Sequence, residues 1–141
     1  MGLLYHPKQG ALVLVRFDKS FKEPEMVKPR PCVAVSKGFK SRPNLMTVVP
    51  LSTTPPEPVM PWHCEIEIGL ELPPRWSRKS CWVKGDMIYA VGFHRADLFQ
   101  IARGADGRRV YQNDTISTES LERIQKCILE GLALSHLTKH V

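Results

Sequence analysis

The stretch Trp62-His-Cys-Glu-Ile-Glu-Ile68 alternates without a break, placing Trp62, Cys64, Ile66 and Ile68 on one side and His63, Glu65 and Glu67 on the other. A period of two belongs to a strand, and one apolar face beside one charged face describes a half-buried antiparallel strand. Just before it, Thr53-Thr-Pro-Pro-Glu-Pro-Val-Met-Pro61 can be neither helix nor central strand, so it is a loop. All twelve prolines stand at or before Pro74. With Pro24, Pro29, Pro31 and Pro43 they cut the first half of the chain into short extended pieces.

Working outward, β-branched runs bounded by turn residues predict strands at Ala11 to Phe17, Cys32 to Ser36, Leu45 to Leu51, and Trp82 to Val91 with an interruption near Gly85. Leu98 to Arg103 and Arg109 to Gln112 flank Gly104-Ala-Asp-Gly107, whose Asp-Gly pair signals a tight hairpin turn. One helix is predicted, with Ser117 as N-cap, Glu119 in the first turn, and Ile116 and Leu121 placed as a hydrophobic staple. Leu121, Ile124, Ile128, Leu129 and Leu132 form its apolar stripe, and Gly131 predicts a frayed end over Leu132 to Val141. The fold class is therefore mainly β with one C-terminal α-helix, arranged as a small bent barrel.

A length of 141 residues with 43% hydrophobic content fits one domain spanning residues 1–141. The longest apolar runs, Ala11 to Val15 and Met87 to Val91, are far too short to cross a bilayer, and the N-terminus carries no export or lipidation signal. The expectation is a soluble, cytoplasmic protein with no membrane partner. Cys32, Cys64, Cys81 and Cys127 show no metal-ligand or redox spacing and read as reduced, mostly buried thiols. No metal and no cofactor is expected. The net charge of +6 favours a polyanionic partner. Residues 1–44 carry nine Lys/Arg against three acids, 45–74 none against four, and 75–109 eight against three. Either the two basic segments converge on one groove, or the surface is simply basic throughout.

The common catalytic signatures are absent: no P-loop, no G-x-S-x-G elbow, no H-E-x-x-H and no dinucleotide fingerprint. What stands out is a layout. Gly10-Ala-Leu-Val-Leu-Val-Arg-Phe17 precedes the loop Glu25-Met-Val-Lys-Pro-Arg-Pro31, which runs into the strand closed by Ser36. Val48-Val-Pro-Leu-Ser-Thr53, Trp82-Val-Lys-Gly-Asp86 and Ile116-Ser-x-Glu-x-Leu121 follow.

In these features the chain resembles the MazF/PemK family of toxin ribonucleases of bacterial toxin-antitoxin systems, over about residues 9–132. The resemblance implies an SH3-like antiparallel barrel of the MazF/PemK/CcdB type. It also implies a homodimer, a cognate antitoxin as partner, and metal-independent, sequence-specific cleavage of single-stranded RNA (mRNA). It maps the catalytic pair to Arg30 and Ser52, with Glu25 as an additional acid. Within the family the chain is similar to a longer subgroup carrying Phe21-Lys-Glu-Pro-Glu-Met-Val27 and Lys84-Gly-Asp-Met-x-Tyr-x-Val-Gly-Phe-His-Arg95. It departs from the compact members at 53–61, 73–80 and 98–112, around the expected cleft.

The residue types suit that chemistry. RNA carries its own nucleophile, the 2′-hydroxyl, so a protein must take its proton, neutralise the phosphorane oxygens and protonate the leaving 5′ oxygen. Arg30 presents a planar fork of donors, aimed by Pro29 and Pro31 on either side. Ser52 either donates to the phosphate or caps a turn, and Glu25 either acts as a base or is a solvated loop acid. The RNA-binding set expected around them is Lys28, Thr53, His63, Arg75, Trp76, Arg78, Lys79 and His94, with Trp76 between Arg75 and Arg78 as a stacking surface. Against the endoribonuclease stands a reading from another class, a non-catalytic module that uses the same barrel to bind nucleic acid or protein.

Overall fold

The computed structural model describes residues 2–17, 21–25 and 27–141. Among these, seven strands share one antiparallel sheet: β1 (Leu12–Val15), β2 (Arg30–Ala34), β3 (Leu45–Ser52), β4 (His63–Glu67), β5 (Ser80–Lys84), β6 (Tyr89–Gly92) and β7 (Ala96–Asp97). A separate hairpin, β8 (Gln100–Arg103) with β9 (Arg109–Tyr111), precedes the helix α1 (Thr118–Gly131). The chain is thus mainly β with one C-terminal α-helix. Pairing runs β4-β5-β3-β2-β1-β7 with β6 also beside β3, and ends at β4 and β7 instead of closing into a full ring.

β3 is the hub. One edge pairs with β2, while the other pairs first with β6, through Leu45 to Val48, and then with β5, through Leu51 and Ser52. The change of partner falls at Val49 and Pro50, so Pro50, which has no N–H to give, stands where that edge carries no ladder. The interruption expected near Gly85 is the turn that separates β5 from β6 and sends both back to the same strand.

The unbroken apolar run Leu12-Val-Leu-Val15 is explained by burial on two sides, since successive side chains of a strand point to opposite faces. Leu12, Val33, Val49 and Leu51 join Cys64, Ile66, Val83, Ile124 and Cys127 in the core beneath α1. Val13, Val15, Cys32, Met46 and Val48 turn the other way, against Phe17, Val91, Phe93 and Ala96. All four cysteines are free and buried. Cys64 on β4 and Cys127 on α1 lie in the same core, their thiols near enough to shift each other, Cys64 down and Cys127 up.

Ser117 caps α1, its hydroxyl accepting from the Ser120 N–H at 3.1 Å, while Ile116 is buried and Leu121 packs on the same core. The α-helix ends at Gly131, where the sequence predicts a weak end, and the residues beyond it are not all coil. Ser135–His140 forms a 3-10 turn, with the Thr138 hydroxyl donating to the Ser135 carbonyl at 2.8 Å. No helix of the described residues is long and apolar enough to cross a membrane.

Candidate nucleic-acid cleft

Arg30 is the first residue of β2, opposite Val15 of β1, at the point where a proline on each side has already forced the chain to be extended. This places a charged side chain at the mouth of the sheet. Arg30 is half-buried, and its Nε is buried with no hydrogen-bond partner among the described residues. A buried guanidinium N–H left unpaired costs free energy, on the order of 1–3 kcal/mol, unless a ligand oxygen takes it. Its charge is felt behind it as well: burial pushes the Cys32 thiol up, and Arg30 only partly opposes that.

Around Arg30 lies a cleft of about 340 Å³, lined by Lys28, Pro29, Pro31, Leu51, Thr53, Arg75, Trp76, Arg78 and Cys81. Lys28 and Arg30 come from the first basic segment, Arg75 and Arg78 from the second, so the two segments do meet. No carboxylate lines this cleft, and none of its four cations has an ion-pair partner among the described residues. Four unneutralised cations around one hollow attract a polyanion and repel a cation.

The far wall is a single 3-10 turn, Pro74–Trp76, which the sequence reading did not anticipate. Proline opens it, and the Trp76 N–H donates to the Pro73 carbonyl at 2.9 Å, so Arg75 and Trp76 are held by local backbone geometry. The Trp76 ring meets Phe99 edge-on at 6.3 Å, while the Arg75 guanidinium lies 4.7 Å from the indole centroid. Trp76 thereby serves both the core and the cleft. Cys81 on β5 lies at the floor; burial raises its pKa against the pull of Arg78, so near neutral pH it is a thiol and not a nucleophilic thiolate.

Ser52 and Thr53 part company at the end of β3. Ser52 is buried, its Oγ accepting from the Thr54 N–H at 3.1 Å and donating to the Thr54 carbonyl at 3.4 Å, whereas Thr53 is exposed and lines the cleft. Glu25 lies in a second hollow of about 700 Å³ with Glu23, Val27, Lys28, Arg30, Lys84 and Met87. Its backbone N–H donates to the Lys22 carbonyl at 2.8 Å, and no ion pair joins it to Arg30. Arg30 and Lys28 therefore form the ridge between two hollows, with the cationic cleft on one side and the acid on the other.

Three residues of the expected RNA-binding set lie elsewhere. His63 Nδ1 accepts from the Met60 N–H at 3.0 Å and sits opposite Lys84. His94 lines a hollow with Gly2, Leu3, Leu4, Asn44 and Phe93. Lys79 lines neither cleft, and its carbonyl accepts from the Ile68 N–H. Among the described residues no three His, Cys, Asp or Glu side chains gather as a ligand set for a metal.

Residues 8–132 match the model of the PemK-like, MazF-like toxins of type II toxin-antitoxin systems. The chain belongs to that family. Its PemK/MazF-like fold is shared with MazF from Deinococcus radiodurans (TM-score 0.58, 17% identity, covering 92% of this chain and 98% of that one). It is also similar to an endoribonuclease in complex with its cognate antitoxin from a mycobacterial species (TM-score 0.56, 17% identity, 92% and 97% covered) and to the Mycobacterium tuberculosis toxin MazF-mt6 (TM-score 0.53, 12% identity, 86% and 96% covered). No curated protein sequence matches this PemK-like chain.

Proposed function

We propose that this PemK-like chain is a metal-independent endoribonuclease toxin that cleaves single-stranded RNA, mRNA in the cell, at short sequence motifs in the Arg30 cleft. The observation that carries the reading is the half-buried guanidinium of Arg30, one of four cations lining a cleft to which the described residues bring no carboxylate. That arrangement is stabilised by an oxyanion such as a phosphodiester. Membership of a toxin family, and a fold shared with a mycobacterial endoribonuclease, support it.

In the proposed reaction the 2′-hydroxyl oxygen bonds to the adjacent phosphorus as the bond to the 5′ oxygen breaks. The 2′ proton passes to a base and another proton reaches the leaving oxygen, giving a 2′,3′-cyclic phosphate and a 5′-hydroxyl. Arg30 neutralises the charge that grows on the non-bridging oxygens, and Thr53 donates beside it. Ser52 acts from the turn below, and Glu25, across the ridge, is the acceptor for the 2′ proton. Lys28, Arg75 and Arg78 hold flanking phosphates, and Trp76 offers a face to an unpaired base. The reading makes no use of His63, His94 or Lys79.

A cognate antitoxin with an acidic, disordered segment fits the same cleft, and the similar mycobacterial endoribonuclease is itself in complex with its cognate antitoxin. A homodimer and a cytoplasmic location complete the proposal; four free thiols suit a reducing compartment. The test is incubation of purified protein with mixed RNA in excess EDTA, followed by mapping of the cut ends. Cyclic phosphate ends at a short recurring motif are expected. Intact RNA that nonetheless binds the protein assigns the barrel to the non-catalytic class.

A further inference from the structure

The β8–β9 hairpin has no part in the core. Gln100, Ala102, Arg103, Arg109, Val110 and Tyr111 are all exposed, and among the described residues the two strands pair only with each other. An isolated two-stranded ribbon is marginal in water, and a sequence does not hold one rigid without something to brace it. This one is braced at both ends. At the tip, Gly107 takes a φ of 80°, open to glycine, and the Gly104 N–H donates to the Arg108 carbonyl at 2.8 Å. At the base, the Gln112 N–H donates to the Phe99 carbonyl at 2.8 Å.

The brace at the base is shared with the cleft. Gln112 Nε2 donates to the Glu71 carbonyl at 2.8 Å, and the Phe99 ring meets Trp76, so the base of the hairpin rests against the segment that leads into Arg75 and Trp76. The cationic wall and the base of the hairpin are thus in contact. Four residues at about 3.3 Å each carry the tip on the order of 13 Å from that base.

The hairpin brings Arg103, Arg108 and Arg109 against a single acid, Asp106. Asp106 is already committed, its carboxylate accepting from the Arg108 N–H at 3.0 Å and pairing with Arg108 Nε at 3.5 Å. Arg103 is held by the Gly107 carbonyl at 3.0 Å, and Arg109 has no ion-pair partner among the described residues. Tyr111, 38% exposed, adds an aromatic face. Arginines on a braced ribbon whose base adjoins a cationic wall can serve as a track for a phosphate backbone, with a ring for a base.

We propose that the β8–β9 hairpin is a second RNA-binding element, which holds the single strand flanking the scissile phosphate and extends the Arg30 cleft. The proposal rests on the RNA reading of that cleft. Its test uses the full chain and two non-cleavable 2′-O-methyl oligonucleotides of about five and about twelve residues, within the span of small single-strand-binding sites. The variant combines Arg103→Gln, Arg108→Gln and Arg109→Gln.

Wild type is expected to bind both oligonucleotides, the longer more tightly. The variant should bind the short one within about twofold of wild type and the long one roughly tenfold more weakly, with the salt slope for the long one flattened by about 0.7 for each phosphate no longer neutralised. Unchanged binding of the long oligonucleotide overturns the proposal. So does unchanged RNA binding with lost affinity for an acidic polyglutamate peptide, which makes the hairpin a protein-docking element. Failure of wild type to bind either oligonucleotide defeats the RNA reading itself, and the hairpin proposal with it. Should the triple variant fail to fold, Arg109→Glu alone supplies the same comparison.

Discussion

A Cβ placed on Gly85 would lie 2.4 Å from both the carbonyl carbon and the carbonyl oxygen of Cys127, so the β5–β6 turn touches the backbone of α1 directly. The contact is reciprocal, because a Cβ on Gly131 of the helix would meet Asp86 N at 2.8 Å. Neither obstacle is a movable side-chain end. Gly85→Ala is therefore expected to push the helix off the sheet and cost about 1–3 kcal/mol, as overpacking of a close contact does. Thermal unfolding should show a midpoint lowered by several degrees; an unchanged midpoint would mean that the turn yields freely.

Arg30→Ala is expected to lower kcat/KM for RNA cleavage by roughly 10²- to 10³-fold, the loss typical of one charge-stabilising donor, with little change in melting temperature. Arg30→Lys should recover little of it, since lysine keeps the charge but lacks the planar fork of donors. Full activity in the lysine variant would reduce the role of Arg30 to bulk charge.

The two hydroxyls at the end of β3 are separable. Thr53→Ala removes a group that faces the cleft and should slow cleavage at unchanged stability. Ser52→Ala removes a turn-holding hydroxyl, leaves the Thr54 N–H unsatisfied, and should lower stability by about 1 kcal/mol along with activity. Paired melting and cleavage measurements decide between them. An inactive Ser52→Ala protein with wild-type stability would place the Ser52 hydroxyl on the substrate.

Burial pushes the Cys32 and Cys81 thiols up, so the folded chain keeps protons that the unfolded chain releases. This contribution is complete below the unfolded thiol range, near pH 8.5, and is lost progressively as pH rises above it. Denaturant unfolding between pH 7.5 and 9.5 should show stability falling with pH over the upper half of that window. Cys32→Ala should flatten the fall while lowering stability throughout.

The elements were legible where their signals are local. The Glu65/Glu67 alternation became β4, Ser117 caps α1, and Gly104-Ala-Asp-Gly107 turns the hairpin, because each depends on a few neighbouring residues. The reach of the cleft was less legible, because it depends on which ends of the sheet come together. His94 adjoins Arg95 along the chain and His63 follows the proline-rich loop, yet the fold carries His94 to the side of Gly2 and Asn44, and His63 into a bond with the Met60 backbone. The 3-10 turn at Pro74 could have been signalled by proline at its first position, but two adjacent prolines more often mark an extended loop.

Arg30 is a wall common to two hollows, and one guanidinium cannot be neutralised twice. An anion seated on the Glu25 side and one seated beside Trp76 draw on the same charge, so filling one hollow weakens the other without any change of shape. Occupants that never touch would thus titrate as competitors, and a small oxyanion such as sulfate, bound on either flank, is enough to shift the saturation curve of a strand lying on the opposite one.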